Sequence, residues 1–279
     1  MTAILLAAAC AAVYGSADFC GGSATKRANP LAVTVLSQLV TVPLVLAVAV
    51  VVAGSPTLVD VGWGALAGAA GLVGLVMLYK GLSSGAMAVV APTTAVTAAA
   101  VPLLVGLVLE SWPRPLALIG VVCAVVAIGF VSLAPNGERS VVTTRLLVSA
   151  IAAGVMFGVF FIALDRAGSD AGMWPLVSAR LTSVVLGFVV ATAARVSVRP
   201  PGPAWPWIVA AGSLDVTANV FYLLAAQQGS LALVAPIASL YPVSTVLLAL
   251  VIDRERLRPV QMVGLGLAAT ALVLVTGSG

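Results

Sequence analysis

The chain contains no histidine. That removes the usual proton shuttle at neutral pH and the commonest metal ligand. Its three cysteines, Cys10, Cys20 and Cys123, all lie inside apolar runs, and no C-x-x-C pair is present. They read as small packing residues. Charge is scarce too. Asp, Glu, Lys and Arg make up 8% of the 279 residues, against about 25% in a soluble domain. No soluble fold covers its surface with so little. The 13 Lys+Arg outnumber the 9 Asp+Glu and the pI is near 9.3, yet no run of five like charges occurs. The excess is a matter of scattered loop cations, so no nucleic-acid partner is expected. The N-terminal apolar run has no basic stretch before it, and a cleaved signal peptide is not expected. Without His, a Cys pair or clustered carboxylates, a membrane-embedded enzyme has no nucleophile, metal site or acid–base pair to work with. No cofactor, metal site or catalytic residue is expected.

What the chain has is long apolar runs. It is 62% hydrophobic with a mean hydropathy of +1.20. Segments of about 17–25 apolar residues span a bilayer as helices. Breaking the chain at charges, Pro and Gly gives ten: roughly 3–24, 31–53, 62–81, 86–109, 115–133, 145–164, 173–194, 205–227, 231–252 and 258–277. The fold expected is an all-α membrane protein of ten transmembrane helices.

One stretch is written twice. Gly85 to Pro92 reads G-A-M-A-V-V-A-P and Gly229 to Pro236 reads G-S-L-A-L-V-A-P, an offset of 144. Around each copy come an upstream Tyr (Tyr79; Tyr222), a Glu (Glu110; Glu255), a Pro (Pro115; Pro259) and a Gly (Gly120; Gly264) at matching distances. Such self-similarity marks a duplicated unit. The halves divide near the polar stretch 134–144, giving a first repeat at 1–140 and a second at 141–279. Five helices per copy is an odd number, so the second copy is expected upside down relative to the first. Inverted repeats with a substrate site between them near the midplane are a recurrent plan of secondary transporters.

With the helices numbered this way, the odd-numbered loops carry Lys26, Arg27, Lys80, Arg139, Arg145, Arg195, Arg199, Arg254, Arg256 and Arg258. The even-numbered loops carry Arg114 and Arg166. The positive-inside rule then puts the odd loops in the cytoplasm and both termini outside.

A charge at the centre of a membrane helix costs at least about 2.5–3.5 kcal/mol, so each is a functional hypothesis. Three qualify: Asp18, Arg180 and Asp215. At 1.5 Å per residue, Arg180 and Asp215 differ in depth by about 5–7 Å, and Asp18 lies roughly 12 Å from Arg180 toward the other side. Arg180 and Asp215 are therefore expected to pair or to share a substrate. A structural salt bridge is the alternative for that pair. Asp18 is expected to have no partner on its own level. A lone carboxylate in low dielectric holds its proton more readily, which suits proton coupling; a water-filled vestibule with no role for Asp18 is the alternative. Asn219 and Tyr222 follow Asp215 at i+4 and i+7, and Tyr14 precedes Asp18 at i−4, each on one helical face. At positions matched by the repeat, Asp18 stands opposite Phe161, Gln38 opposite Arg180, Gly71 opposite Asp215 and Leu75 opposite Asn219. The charges break the symmetry, as residues reading an asymmetric substrate do. The candidate substrate or proton site is Asp18, Arg180, Asp215, Asn219, Tyr222, Tyr14, Gln38 and Tyr241. The prolines Pro92, Pro102, Pro236 and Pro242 are expected to bend helices 4 and 9. Gly68, Gly71 and Gly74 suit close helix contact.

The five-plus-five pattern, with an A-P segment that ends at a Glu (Gly85 to Glu110; Gly229 to Glu255), resembles the EamA-type branch of the drug/metabolite transporter superfamily. Tyr14-Gly15 is similar to the aromatic-Gly pair that opens such repeats, and Phe157-Gly158 echoes it. The run Asp18-Phe19-Cys20-Gly21 through Lys26 resembles helix 1 of the small multidrug resistance proteins, where a Glu at the equivalent place binds protons and cationic drugs in competition. The resemblance implies that Asp18 plays that part, with Asp in place of Glu and in one half only. It also implies cytoplasmic termini, opposite to the charge count. The function expected is proton-coupled or exchange transport, usually outward, of a small metabolite such as an amino acid, in the inner or plasma membrane. Export of cationic drugs or lipid-linked compounds is the alternative within the class, and a non-transporting scaffold subunit the one outside it. Expected partners are the substrate, membrane lipid and protons, with the protein a monomer or homodimer.

Overall fold

The computed structural model describes the chain except for residues 1, 53, 110–118, 121, 124–125, 128–129, 131–142, 229–237, 239, 255–258 and 277–279. Every extended regular element among the described residues is helical: α1 (Thr2–Thr25), α2 (Pro30–Val51), α3 (Leu58–Leu82), α4 (Met87–Leu109), α5 (Thr144–Asp165), α6 (Trp174–Ala193), α7 (Trp205–Gln228), α8 (Tyr241–Val251) and α9 (Pro259–Thr276). By length and composition α1, α2, α3, α5 and α6 are each apolar enough to cross a membrane, and shorter apolar helical stretches lie at Met87–Pro102, Tyr241–Val251 and Met262–Ala271. The fifth expected segment, 115–133, falls mostly outside the described residues, as do the second A-P stretch (229–236), Glu110, Glu255, Arg114, Arg139, Arg256 and Arg258.

Local chemistry sets the helix starts. Asn29 accepts from the Leu31 amide at 2.9 Å and Pro30 takes the first helical position of α2, where a missing N–H costs nothing. Thr57 and Asp60 form a reciprocal capping box at the start of α3, satisfying amides that the helix itself leaves open. Asp60 is only 7% exposed, because its other carboxylate oxygen accepts from the Gly168 amide at 2.7 Å. One side chain thus caps α3 and ties that end to the loop after α5. Pro92 and Pro102 lie inside α4 as expected. Pro242 does not lie in a helix interior. It occupies the first turn of α8, because an N-terminal position tolerates the absent donor that an interior one does not.

Packing between the halves follows an exchange rule. The first helix of the first half, α1, packs on α7 and α8, and its counterpart α5 packs on α3 and α4. The second helices, α2 and α6, pack on each other. They run antiparallel: Val45 and Ala49 share a cluster with Met173, Trp174 and Val177, while Val35 abuts Gly187 at the other end.

Glycine seats make these crossings close. A Cβ on Gly64 or Gly68 of α3 would overlap backbone of α6 at Pro175 or Ala179, and one on Gly74 would crowd α5 at Ala153 and Met156. Without a hydrophobic driving force inside lipid, such close backbone approach supplies the van der Waals contact that holds helices together. The largest buried cluster among the described residues joins Phe19, Val33, Leu82, Met87 and Ile208 from α1, α2, α3, α4 and α7.

Candidate substrate site

Three helices converge on one guanidinium. Arg180 of α6 donates through Nη1 to Oε1 of Gln38 on α2 at 2.6 Å and through Nη2 to Oδ2 of Asp215 on α7 at 2.8 Å. The Arg180 and Asp215 side chains are 12% and 24% exposed, and Gln38 is 5% exposed. The planar fork of an arginine makes this double attachment possible. Its Nε is buried and has no hydrogen-bond partner among the described residues. A buried charge stripped of its partner costs about 3–5 kcal/mol, so removing either member of the α6–α7 pair is expected to destabilise the fold. The expected Arg180–Asp215 pairing is present, and the structure adds Gln38 to it from the other half.

Asp18 stands apart from that bond. It makes no ion pair or hydrogen bond among the described residues, but Asp215, Tyr79 and Tyr241 lie within electrostatic range of it. Two carboxylates therefore share one region, with a guanidinium neutralising one of them. Tyr14 and Tyr241 meet in a tilted contact across the α1–α8 seam, ring centroids 6.0 Å apart at 51°. Tyr14 is also in electrostatic range of both Asp215 and Arg180.

The remaining candidates separate. The Asn219 side-chain amide donates to the Asp215 backbone carbonyl at 2.7 Å, so it supports its own helix. Tyr222 is 37% exposed. It shares a stripe with Asp215 but not the ion pair. The repeat register also needs correction at one position. Both second helices open on Pro-Leu, Pro30-Leu31 and Pro175-Leu176. That register matches Arg180 to Val35, not to Gln38. Gln38 meets Arg180 because the two helices cross there.

Two groups of residues escape a sequence reading as site candidates. Tyr79, a repeat marker in the sequence, is 4% exposed and rests its ring against Gly21. Ser244 and Thr245 of α8 bond the backbone of α1. Ser244 Oγ lies 2.9 Å from the Ala11 carbonyl oxygen, and Thr245 Oγ1 donates to the Gly15 carbonyl at 3.1 Å. Gly15 makes that seat possible, because a Cβ there would overlap Ser244 and the Tyr241 carbonyl. In the other half, Gly158 faces Val101 of α4 in the same way. The two aromatic-Gly pairs thus seat the same pair of elements, and a hydroxyl bonds backbone across each seam, since Thr94 Oγ1 of α4 donates to the Ala150 carbonyl of α5 at 3.1 Å. A pair of adjacent hydroxyl residues in an apolar helix, Thr93-Thr94 or Ser244-Thr245, is the signal that could have marked these seams.

Helices of paired halves enclosing a buried, partly neutralised charge cluster define a polytopic membrane protein of the transporter class. The family model described as the EamA-like transporter family matches the chain twice, over residues 1–133 and 144–277. The chain belongs to that family. A solved crystal structure of a protein 17% identical to this chain superposes with a TM-score of 0.60, covering 98% of this chain and 96% of that one; the likeness is one of fold. No curated protein matches the sequence.

Proposed function

We propose that this protein is a secondary active transporter in the inner or plasma membrane. It moves a small zwitterionic or charged metabolite, such as an amino acid, by alternating access between two inverted five-helix halves, 1–140 and 141–279, ten spans in all. The observation that carries this reading is the Gln38–Arg180–Asp215 cluster, to which both halves contribute. In a cell membrane such charges are too costly to keep for packing alone. Arg180 receives the anionic group of the substrate through its fork and its unpartnered Nε. Asp215 and Asp18 receive the cationic group. The antiparallel α2–α6 crossing and the exchange-related packing of α1 and α5 support the inversion. Asp18, without a hydrogen bond of its own among the described residues, is the proton-coupling carboxylate, and the resemblance favours outward movement. The odd-numbered loops face the cytoplasm on the charge count.

The test is thermal stabilisation of the purified protein across a metabolite library at one acidic and one alkaline pH, followed by flux in proteoliposomes. Zwitterions raise the melting temperature and are transported. Stabilisation by neutral lipid-like compounds alone overturns the reading. A second reading, export of cationic drugs, is favoured by one observation: Asp18 has no cation beside it among the described residues. Stabilisation by quaternary amines and not by zwitterions selects it.

A further inference from the structure

Packing sorts the helices into two groups that do not follow the halves. α1 packs mainly on α7 and α8, and α5 mainly on α3 and α4. Apart from the crossing of α2 on α6, α2 packs on α7 and α6 on α3. Helices one and two of each half therefore sit with helices three and four of the other. The first group is α1, α2, α7 and α8. The second is α5, α6, α3 and α4. Polar ties run inside each group. In the first, Ser244 and Thr245 bond the α1 backbone at Ala11 and Gly15, and Lys26 pairs with Asp253. In the second, the Gly168 amide donates to Asp60, Ser178 to the Val61 carbonyl and Thr94 to the Ala150 carbonyl. All of these ties join one half to the other, yet none leaves its group. The bonds from Arg180 to Gln38 and to Asp215 do cross between the groups, and Arg180 donates both. At other points along that boundary the contact is packing: Val35 against Gly187, Leu82 against Gly22 and the Tyr79 ring against Gly21.

We infer that these exchanged groups, rather than the two halves, are the bodies that rock during transport, and that Arg180 is the latch between them. This rests on the reading that Arg180 and Asp215 take the charged groups of the substrate. Bonds inside a body stay made through the cycle, whereas a boundary of packed surfaces tied at one guanidinium can part. A substrate anion on Arg180 replaces Gln38 and Asp215 as its acceptor, so binding removes the bonds that bridge the bodies. A ligand shifts an equilibrium only by contacts that differ between its two states, and the latch supplies that difference. The halves are then the units of duplication and the groups the units of motion. Rocking of one bundle against another around a fixed site is a general plan of alternating access.

Two bridges near the same membrane face separate the alternatives, in a chain whose three cysteines are replaced by alanine. Lys26→Cys with Asp253→Cys, joined by a short bis-maleimide, ties the halves but lies within one body. Gly22→Cys with Leu82→Cys lies within one half but ties the bodies. A Cβ on Gly22 would stand 2.7 Å from the Leu82 Cβ, within about 1 Å of disulfide spacing. Flux of a radiolabelled amino-acid mixture into proteoliposomes is read before and after bridging. The 26–253 bridge leaves flux unchanged. The 22–82 disulfide abolishes it, and reduction restores it, which shows that the variant is folded. Val35→Cys with Gly187→Cys, 3.5 Å apart by the same measure, crosses the same boundary and gives the same result. Flux lost on 26–253 bridging, or retained with both disulfides, overturns the assignment of the bodies and leaves the transport reading standing. Absence of flux in the unaltered protein overturns both. The latch is read on two buried thiols: Leu82→Cys at the boundary, and Ala163→Cys packed with Ala67 and Ala179 inside one body. Arg180→Gln with Asp215→Asn raises the reactivity of the first about fivefold, the ratio for one net hydrogen bond lost, and leaves the second unchanged. Any other pattern overturns the latch.

Discussion

Arg180 donates to Gln38 at 2.6 Å, linking a residue of the second half to one of the first. The same guanidinium holds Asp215 at 2.8 Å. A structural and a functional role for this bond are separable. Arg180→Leu leaves Asp215 buried and unpaired, and lowers stability by about 3–5 kcal/mol. The double variant R180L with D215L restores most of that stability, because no lone charge remains. Neither variant binds a zwitterion. Melting temperature against ligand binding for the three proteins checks the distinction. Recovery of binding in the double variant would show that the pair only holds the helices.

Arg180→Lys tests the fork. A lysine presents one compact ammonium and cannot reach Gln38 and Asp215 in the same planar arrangement. The variant keeps its charge, folds, and loses substrate affinity by about tenfold or more, corresponding to one charge-assisted hydrogen bond of about 1.5–3 kcal/mol. Isothermal binding measurements report it.

Asp18→Asn keeps the shape of the side chain and removes the group that can carry a proton. Since Asp18 makes no hydrogen bond or ion pair among the described residues, the fold is expected to tolerate the change. Flux in proteoliposomes then continues down a substrate gradient but no longer responds to an imposed proton gradient. A D18N protein with unchanged proton dependence removes Asp18 from the coupling mechanism.

The glycines give a graded set. Gly15→Val puts a branched side chain where Ser244 and the Tyr241 carbonyl already stand. It forces α1 and α8 apart and costs about 1–3 kcal/mol. Gly62, on the exposed face of α3, has open space where a Cβ would stand. Gly62→Ala is therefore neutral or stabilises by about 0.4–1 kcal/mol, since alanine loses less backbone freedom on folding. Thermal melts separate the two variants: Gly15→Val melts lower, and Gly62→Ala stays level or melts higher.

Lys26, just after α1, pairs with Asp253, just after α8; their side chains are 29% and 21% exposed. Each of Lys26→Asp and Asp253→Lys places like charges together and lowers stability by about 0.2–1 kcal/mol. The charge-swapped double variant recovers it. The effect shrinks in high salt, because part-exposed pairs are screened.

The helices are legible in the sequence because a membrane span must be long, apolar and hydrogen-bonded within itself. The expected segments 145–164, 173–194 and 205–227 differ from α5, α6 and α7 by no more than one residue at either end. Segment 62–81 begins too late, because the capping box at Thr57 and Asp60 carries α3 out through polar residues that hydropathy discards. Pro242 is misread as an interior kink because a proline looks alike at a helix start and in a helix interior. Asp18, Arg180 and Asp215 are legible as well, since charge in an apolar run is conspicuous at any depth. Gln38 stands among the candidates on a register that the Pro-Leu starts do not support, and it reaches the site by a helix crossing.

The sequence by itself determined that the protein is helical, membrane-embedded and duplicated, because hydropathy, charge and repetition are properties of the chain taken in order. It also determined which few residues are too polar to face lipid. Only the tertiary structure decided which of them touch. Depth along a helix follows from residue number, but rotation about its axis and the choice of neighbour do not. Those are set by glycine seats such as Gly15 and Gly68, where backbones approach until their atoms meet. That packing brought Gln38 to Arg180 and left Asp18 without a hydrogen bond among the described residues.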